Sequence, residues 1–503
     1  MLLLLPVLTG FLLVASFPRF DQHYFAWVAY IPLIVFMSRA KTPVRAFLGG
    51  YIAGVIEHFA LLLWMPAVLQ DYGGLNAGLA WTGYVLGILL ISCFPGIACS
   101  VTKGLMRRGG DSFLLLFPAV WILIEYALTK IPFKGFPWLL VGYSQSNWLS
   151  LIQVADLTGV YGISFLVLWF ATAVAWIVMQ KGRGFRSYGP LIAAVAIFCT
   201  CLFYGKTSLN RWNALQADYK VAMLQGNLSW DDAPSILKDK YLDGYVQMAD
   251  SIQSSDIDLL ILPESPTPIM YQDDVVYREA LGGLARRFRY GLIFNNIRSE
   301  ETEEGLDYFN SAYFLDGKGD LRGVYDKIHL VPFGEYIPLK SLFVFTQTIT
   351  QDVGEFRPGR DYKLFKFGES PVNATVCFEA IFPGLVRRFV RNGSRLIVNL
   401  TNDRWYGDSS APFQHFAIAR WRAIENRRYF LRAANSGISA VVEPTGRIQT
   451  ATGILCRTVY EGRFSFVTAQ TFYTRYGEVF VFLCAIIVCS SLIFVFIRDR
   501  KDS

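Results

Sequence analysis

The chain has 503 residues, 53% of them hydrophobic and only 17% charged, with a net charge of +7. This is too apolar for a soluble enzyme of that size, and the length calls for more than one domain. The eight cysteines lack the paired C-x-x-C spacing of a zinc site, so neither a metal nor a cofactor is expected. The charge is unevenly spread, and no nucleic-acid partner is expected.

Leu2–Phe17 is an apolar run with no Lys or Arg before it, which reads as a retained membrane segment rather than a signal peptide. Tyr24–Met37, Phe47–Leu69, Leu75–Val101, Ser112–Leu128, Ile163–Met179 and Leu191–Tyr204 follow, and Val479–Ile497 closes the chain after a long polar gap. Each is near the length of a spanning helix, about 17–25 residues, or slightly short of it. Basic residues alternate between loops. Arg39, Lys41 and Arg45 fill one loop, Lys103, Arg107 and Arg108 another, Lys181, Arg183 and Arg186 a third, and Arg498, Arg500 and Lys501 the tail. The positive-inside rule puts these loops and the C-terminus in the cytoplasm. Seven spans then precede the polar region, which faces outward. The expected organisation is a transmembrane domain over 1–212, an extracytoplasmic domain over 219–472 and a last span at 479–497.

Within the long loop Thr129–Tyr161, Trp138, Tyr143 and Trp148 suit an interfacial level. Glu57 and His58 lie mid-span, where a functional role and a helix-bend cap are equally good readings.

The polar region alternates strands and helices. "YKVAMLQGN" reads as a strand, "PSILKDKYLDGYVQMADSI" as a helix, "IDLLILPES" as a strand and "DDVVYREALGGLARRF" as a helix. "YGLIFNNIR", "DYFNSAYFLD" and "RGVYDKIHLV" are strands, the last two joined at Gly317–Lys318–Gly319. "NATVCFEAIF" is a strand that delivers Cys377 to its tip before the turn at Phe382–Pro383–Gly384. A short helix, the strand "SRLIVNLTND", a helix over Phe413–Tyr429 and strands through "ISAVVEP" and "CRTVYEGRFSF" finish the region. This pattern predicts an α/β layered fold with its site at strand ends. Cys456 is read as a buried strand residue.

Three strand ends carry the chemistry. Cys377 is the candidate nucleophile, and the turn amides with a nearby cation are expected to hold it as thiolate. Glu264, ending "LLILPES", is placed to take the thiol proton and return it to a leaving group. Lys327, in "VYDKIHLVPFGEYIP", would stabilise an oxyanion. Glu335 and Glu379 would position Lys327 or Glu264. His329 and His415 invite a Cys–His reading, but a structural role is the better expectation for each.

Glu264, Lys327 and Cys377, in this order and at strand ends, resemble the Glu–Lys–Cys triad of the nitrilase (carbon–nitrogen hydrolase) superfamily. The strings "YDKIHLVPFGEYIP", "VCFEAIFP", "LTNDRWYGDSSAPFQHFAIARWRAIENRR" and "RAANSGISAVVEPTG", with the apolar spans, resemble bacterial apolipoprotein N-acyltransferases. The resemblance implies a polytopic α-helical membrane domain joined to a nitrilase-like αββα sandwich on the outer face of the cytoplasmic membrane. It implies acyl transfer from a glycerophospholipid, phosphatidylethanolamine in the usual case, to the α-amine of a lipoprotein's diacylglyceryl-cysteine, and a monomer is expected. Glu264 matches the general base, Lys327 the oxyanion lysine, Cys377 the nucleophile, and Glu335 and Glu379 supporting carboxylates. Trp230 and Trp405 match aromatic positions near the site. Phe378 stands where the family often has Tyr. Ser341–Thr348, "SLFVFTQT", is expected to be a lid dipping into lipid. The alternative is a membrane-tethered amidase or nitrilase acting on a small periplasmic substrate.

Overall fold

The computed structural model describes residues 2–71, 73–180, 184–228, 234–254, 256–264, 269–303, 305–336 and 356–502. They divide into two units. The first holds residues 1–66, 76–210 and 476–503, and the second 67–75 and 211–475.

The first unit is helical. Among the described residues six helical segments are long and apolar enough to cross a membrane: Pro43–Leu61, Ala77–Gly109, Asp111–Leu128, Val160–Met179, Gly189–Asn213 and Val479–Arg498. Leu4–Ser16 and Ala26–Arg39 have 13 and 14 residues. At about 1.5 Å per residue they are shorter than a hydrocarbon core of about 30 Å. Thr42 caps Pro43–Leu61 by accepting from the Arg45 amide, and Pro43 supplies the first turn. In the loop after residue 129, Trp138 and Tyr143 are buried within the unit, with Trp138 stacked on Phe136 and packed against Trp64. Glu57 and His58 are both buried, and His58 Nδ1 lies 3.0 Å from Ser92 Oγ.

The second unit is built on strands β1 (Tyr219–Gln225), β2 (Leu259–Ile261), β3 (Gly291–Thr302), β4 (Gly305–Leu315), β5 (Leu321–Asp326), β6 (Phe365–Phe367), β7 (Ser370–Val376), β8 (Ile397–Thr401), β9 (Phe430–Ala434), β10 (Ala440–Val442), β11 (Ile448–Ala451) and β12 (Thr458–Phe464). Among the described residues they form two sheets, ordered β12-β1-β2-β3-β4-β5 and β11-β10-β9-β8-β7-β6. Each has a parallel centre, β1-β2-β3 or β7-β8-β9, flanked by antiparallel neighbours. Parallel strands covered on both faces are buried throughout, as β2, β8 and β9 are, and β8 and β9 carry the buried polar residues Asn399, Thr401 and Arg432.

The sheets face each other. Phe314 of β4 packs on Phe365 and Phe367 of β6, and the Val441 amide reaches Tyr460 Oη. On the outer face of the first sheet, Leu260, Leu292 and Phe294 pack with Tyr277, Leu281 and Leu284 of helix Val275–Ala285, which Asp274 caps. Helix Ala411–Asn426 covers the second sheet through His415, which touches Arg432 of β9.

Some boundaries differ from the sequence reading. The helix expected to reach Tyr429 ends at Asn426, where Arg427 turns left-handed at φ 50°, and the chain then enters the unexpected central strand β9 at Phe430. The short strands β6 and β11 were not expected. Cys456 is half-buried and lies in the turn before β12 rather than in a strand.

Candidate active site

Glu264 follows β2, Lys327 follows β5 and Cys377 follows β7, so three strand ends converge. The strands end there for local reasons. At Cys377 the backbone turns left-handed (φ 50°) into the 3-10 turn Cys377–Ile381, and Pro383 then opens helix Pro383–Arg391. A non-glycine residue at positive φ is held only by a surrounding that fixes it.

The three side chains are buried and connected. Glu264 Oε1 accepts from Asn310 Nδ2 at 3.0 Å and lies 3.9 Å from Lys327 Nζ, while Glu264 Oε2 accepts from the Asn402 amide at 2.9 Å. Lys327 Nζ donates to Glu335 Oε1 at 2.9 Å. Asn310 Nδ2 also donates to Glu335 Oε1 at 2.7 Å, and Glu335 Oε2 accepts from the Val331 amide at 2.8 Å. One amide group thus spans both carboxylates, and Asn295 fixes it by donating to Asn310 Oδ1.

Burial pushes the Glu264 carboxyl above its ordinary range, opposed by the Lys327 ammonium and reinforced by Glu335. Burial alone would lower Lys327, but the charges of Glu335 and Glu264 outweigh it and hold the ammonium protonated. Burial, then the Glu264 charge, raise the Cys377 thiol, and Lys327 offsets only part of this. Burial and the Glu264 charge thus favour the neutral thiol at Cys377 over the thiolate expected from sequence, with the Glu264 carboxyl as its hydrogen-bond partner. Such an arrangement is chemically able to take up a thiol proton during attack rather than before it.

Glu335 lies where the sequence reading puts it, against Lys327. Glu379 does not. It sits in the 3-10 turn, fully buried, and accepts from Tyr325 Oη (2.7 Å) and from the amides of Ile328 (2.8 Å), His329 (3.1 Å) and Val376 (2.8 Å). It ties the segment after Lys327 to the strand before Cys377 rather than touching either functional atom. Phe378 packs edge-on against Phe382, and Phe382 stacks on His329. Trp405 is half-buried in the turn Asp403–Tyr406, beside the Asn402 amide that holds Glu264. Trp230 and the segment Ser341–Thr348 lie outside the described residues.

Sequence reasoning missed several neighbours. Asn310, midway along β4, and Asn402, just past the end of β8, carry no signal beyond being polar. Tyr406, half-buried, has its phenol pushed well up, chiefly by burial. His415 has the carboxylate partner that no spacing revealed: its Nδ1 lies 3.0 Å from Asp403 Oδ1. No group of His, Cys, Asp and Glu suited to a metal occurs among the described residues.

Known proteins match both units. The family model "Apolipoprotein N-acyltransferase N-terminal domain" matches residues 9–173, and "Carbon-nitrogen hydrolase" matches residues 220–458. A Geobacter metallireducens apolipoprotein N-acyltransferase is 36% identical over 96% of this chain and 92% of its own. The chain belongs to the apolipoprotein N-acyltransferase family. Another apolipoprotein N-acyltransferase, from Methylococcus capsulatus, is 32% identical over 100% of this chain and 97% of its own. The crystal structure of Saccharomyces cerevisiae Nit3, a member of branch 10 of the nitrilase superfamily, is 18% identical over 50% of this chain and 91% of that one, with a TM-score of 0.38. For an apolipoprotein N-acyltransferase, the two-sheet unit with helices outside supplies the carbon–nitrogen hydrolase fold, and the first unit supplies the apolar helices of a membrane protein.

Proposed function

We propose that this enzyme moves an acyl chain from a glycerophospholipid to the α-amine of an apolipoprotein's N-terminal diacylglyceryl-cysteine, through a thioester on Cys377. The observation that carries this is the convergence at three strand ends of the buried Cys377 thiol, the Glu264 carboxyl and the Lys327 amine held by Glu335. The names of the relatives support the choice of acceptor.

In the first half-reaction Cys377 Sγ attacks the ester carbonyl while Glu264 takes the thiol proton. Lys327 faces the oxyanion of the tetrahedral intermediate. The C–O bond then breaks, Glu264 returns the proton to the glyceryl oxygen, and a lysophospholipid leaves. In the second, the lipoprotein amine attacks the thioester, Glu264 takes a proton from nitrogen, and the C–S bond breaks. The proton goes back to sulfur, so the thiol is regenerated. A donor on each oxyanion is worth about 3–4 kcal/mol in comparable sites.

The donor is phosphatidylethanolamine and the working form a monomer. The two-sheet unit works on the periplasmic face of the bacterial inner membrane, with the C-terminus cytoplasmic. The basic loops support this orientation, and the apolar helices support a site supplied with lipid. The test is incubation of purified protein with phospholipid and a diacylated lipopeptide. The lipopeptide should gain one acyl mass, and Cys377→Ala should abolish the gain. Turnover of a small amide or nitrile with water and little lipid dependence, with no lipopeptide product, would favour the amidase reading.

A further inference from the structure

The left-handed turn at Cys377 has a holder that the reaction steps above do not use. Thr375, Asn399 and Arg432 are register partners on β7, β8 and β9, so their side chains form a row across three parallel strands. The row is hydrogen-bonded from end to end. Asn399 Nδ2 lies 3.3 Å from Thr375 Oγ1 and 3.3 Å from the Cys377 carbonyl oxygen. Arg432 donates to Asn399 Oδ1 at 2.6 Å with one arm and to Asp403 Oδ2 at 2.8 Å with the other. Asp403 Oδ1 receives Thr401 Oγ1 at 3.1 Å and faces His415 Nδ1 at 3.0 Å. Thr375, Asn399, Thr401, Asp403, His415 and Arg432 are all at most 1% exposed.

Backbone ladders already join these strands, and apolar side chains would fill the row without burying ions, which is costly. What the polar row adds is direction. An asparagine amide has a donor end and an acceptor end, and Arg432, which can only donate, takes the acceptor. Nδ2 is then turned toward the Thr375 hydroxyl and carbonyl and the Cys377 carbonyl. Asp403 in turn fixes the guanidinium. His415 faces Asp403 and Arg432 through Nδ1, and its ring also interacts with the Cys377 backbone, so it braces the same turn.

We propose that Asn399 and Arg432 are positioning residues for the nucleophile, holding the Cys377 carbonyl so that the left-handed turn keeps Sγ between Glu264 and Lys327. This rests on the reading that Cys377 carries the acyl group. One readout therefore needs no lipid: alkylation of Cys377 by iodoacetamide, followed by the mass of its peptide. The other is kcat and KM for thioester formation from phospholipid.

Asn399→Ala and Arg432→Lys should each slow alkylation and lower kcat by roughly 10–100-fold, the cost of a misplaced reacting atom. KM for phospholipid should stay within about twofold. Because both residues act through one carbonyl, the double variant should be no slower than the worse single variant. Asn399→Asp keeps the acceptor for Arg432 but loses the donor, so it should lose kcat in the same range. Unchanged alkylation and kcat in a folded Asn399→Ala overturns the proposal. So do multiplicative losses in the double variant, or a raised KM with kcat intact. If Asn399→Ala does not fold, full rates in Asn399→Asp overturn it. Wild-type protein that is alkylated at Cys377 but never acylated would sink the acyl-transfer reading, and the alkylation rates would still decide the positioning role.

Discussion

Replacing Glu379 with Gln should damage the site without touching a reacting atom. Three of the four donors on Glu379 are backbone amides, which can only donate, so the group must accept from all of them and is held as a carboxylate. Its pKa is nonetheless raised by burial, which offsets part of the benefit. A Gln amide can point its oxygen at Tyr325, Ile328 and His329, leaving its NH2 against the Val376 amide. Three charge-assisted hydrogen bonds then become neutral ones, each weaker by about 1 kcal/mol, and one buried amide is left unpaired at about 1–3 kcal/mol. Less the relief of a buried charge, the expected loss is about 3–5 kcal/mol. The assay is urea unfolding of detergent-purified protein followed by tryptophan fluorescence, with thioester formation measured on the folded fraction. That rate should fall, because the segments that deliver Lys327 and Cys377 are no longer tied together. A loss under about 1 kcal/mol with full activity would refute this account of Glu379.

Three further outcomes follow from the same geometry. The rate of thioester formation should rise with pH as Glu264 loses its proton, with a midpoint above the ordinary glutamate range because burial raises it, and should not fall again until beyond the ordinary lysine range because Lys327 is raised. A stopped-flow pH profile checks both limbs. Asp403→Asn should cost about 3–5 kcal/mol at neutral pH by stranding Arg432. The Asp403 pKa is depressed by Arg432 and His415 despite burial, so this contribution is fully present above the unfolded value of about 3.9 and is lost as pH falls below it. A wild-type-to-variant gap that closes between pH 8 and pH 5 would implicate another group. Single cysteines placed at Asp273 and Asp320 should react with an impermeant maleimide in intact spheroplasts, and reaction only after lysis would reverse the proposed orientation.

The sequence made the triad legible because each member ends an apolar run. A carboxylate after "LLILP", a lysine after "GVYD" and a thiol after "NATV" stand out against their neighbours. The protonation of the thiol was not legible, since it depends on how completely Cys377 is buried and on how near Glu264 lies. Glu379 illustrates a second limit. A strand would have aimed it along Cys377, but the 3-10 turn sends it to the amides around Lys327 instead. Strand β9 was hidden by Arg432, whose charge breaks an apolar pattern unless its partners Asp403 and Asn399, distant in sequence, are known. In the first unit, apolar runs located the helices, while the packing of Trp138 and Tyr143 inside that unit rests on three-dimensional neighbours that composition does not reveal.

The central claim is that Cys377 carries the acyl chain before any lipoprotein arrives. Purified protein incubated with phospholipid alone should show the Cys377 peptide heavier by one acyl group, removable by neutral hydroxylamine, with one lysophospholipid released per adduct. Cys377→Ala should show neither, and Glu264→Gln should form the adduct slowly or not at all. Wild-type protein that never carries the adduct, yet acylates a diacylated lipopeptide when both substrates are present, would contradict the claim and favour direct attack of the amine on the phospholipid ester.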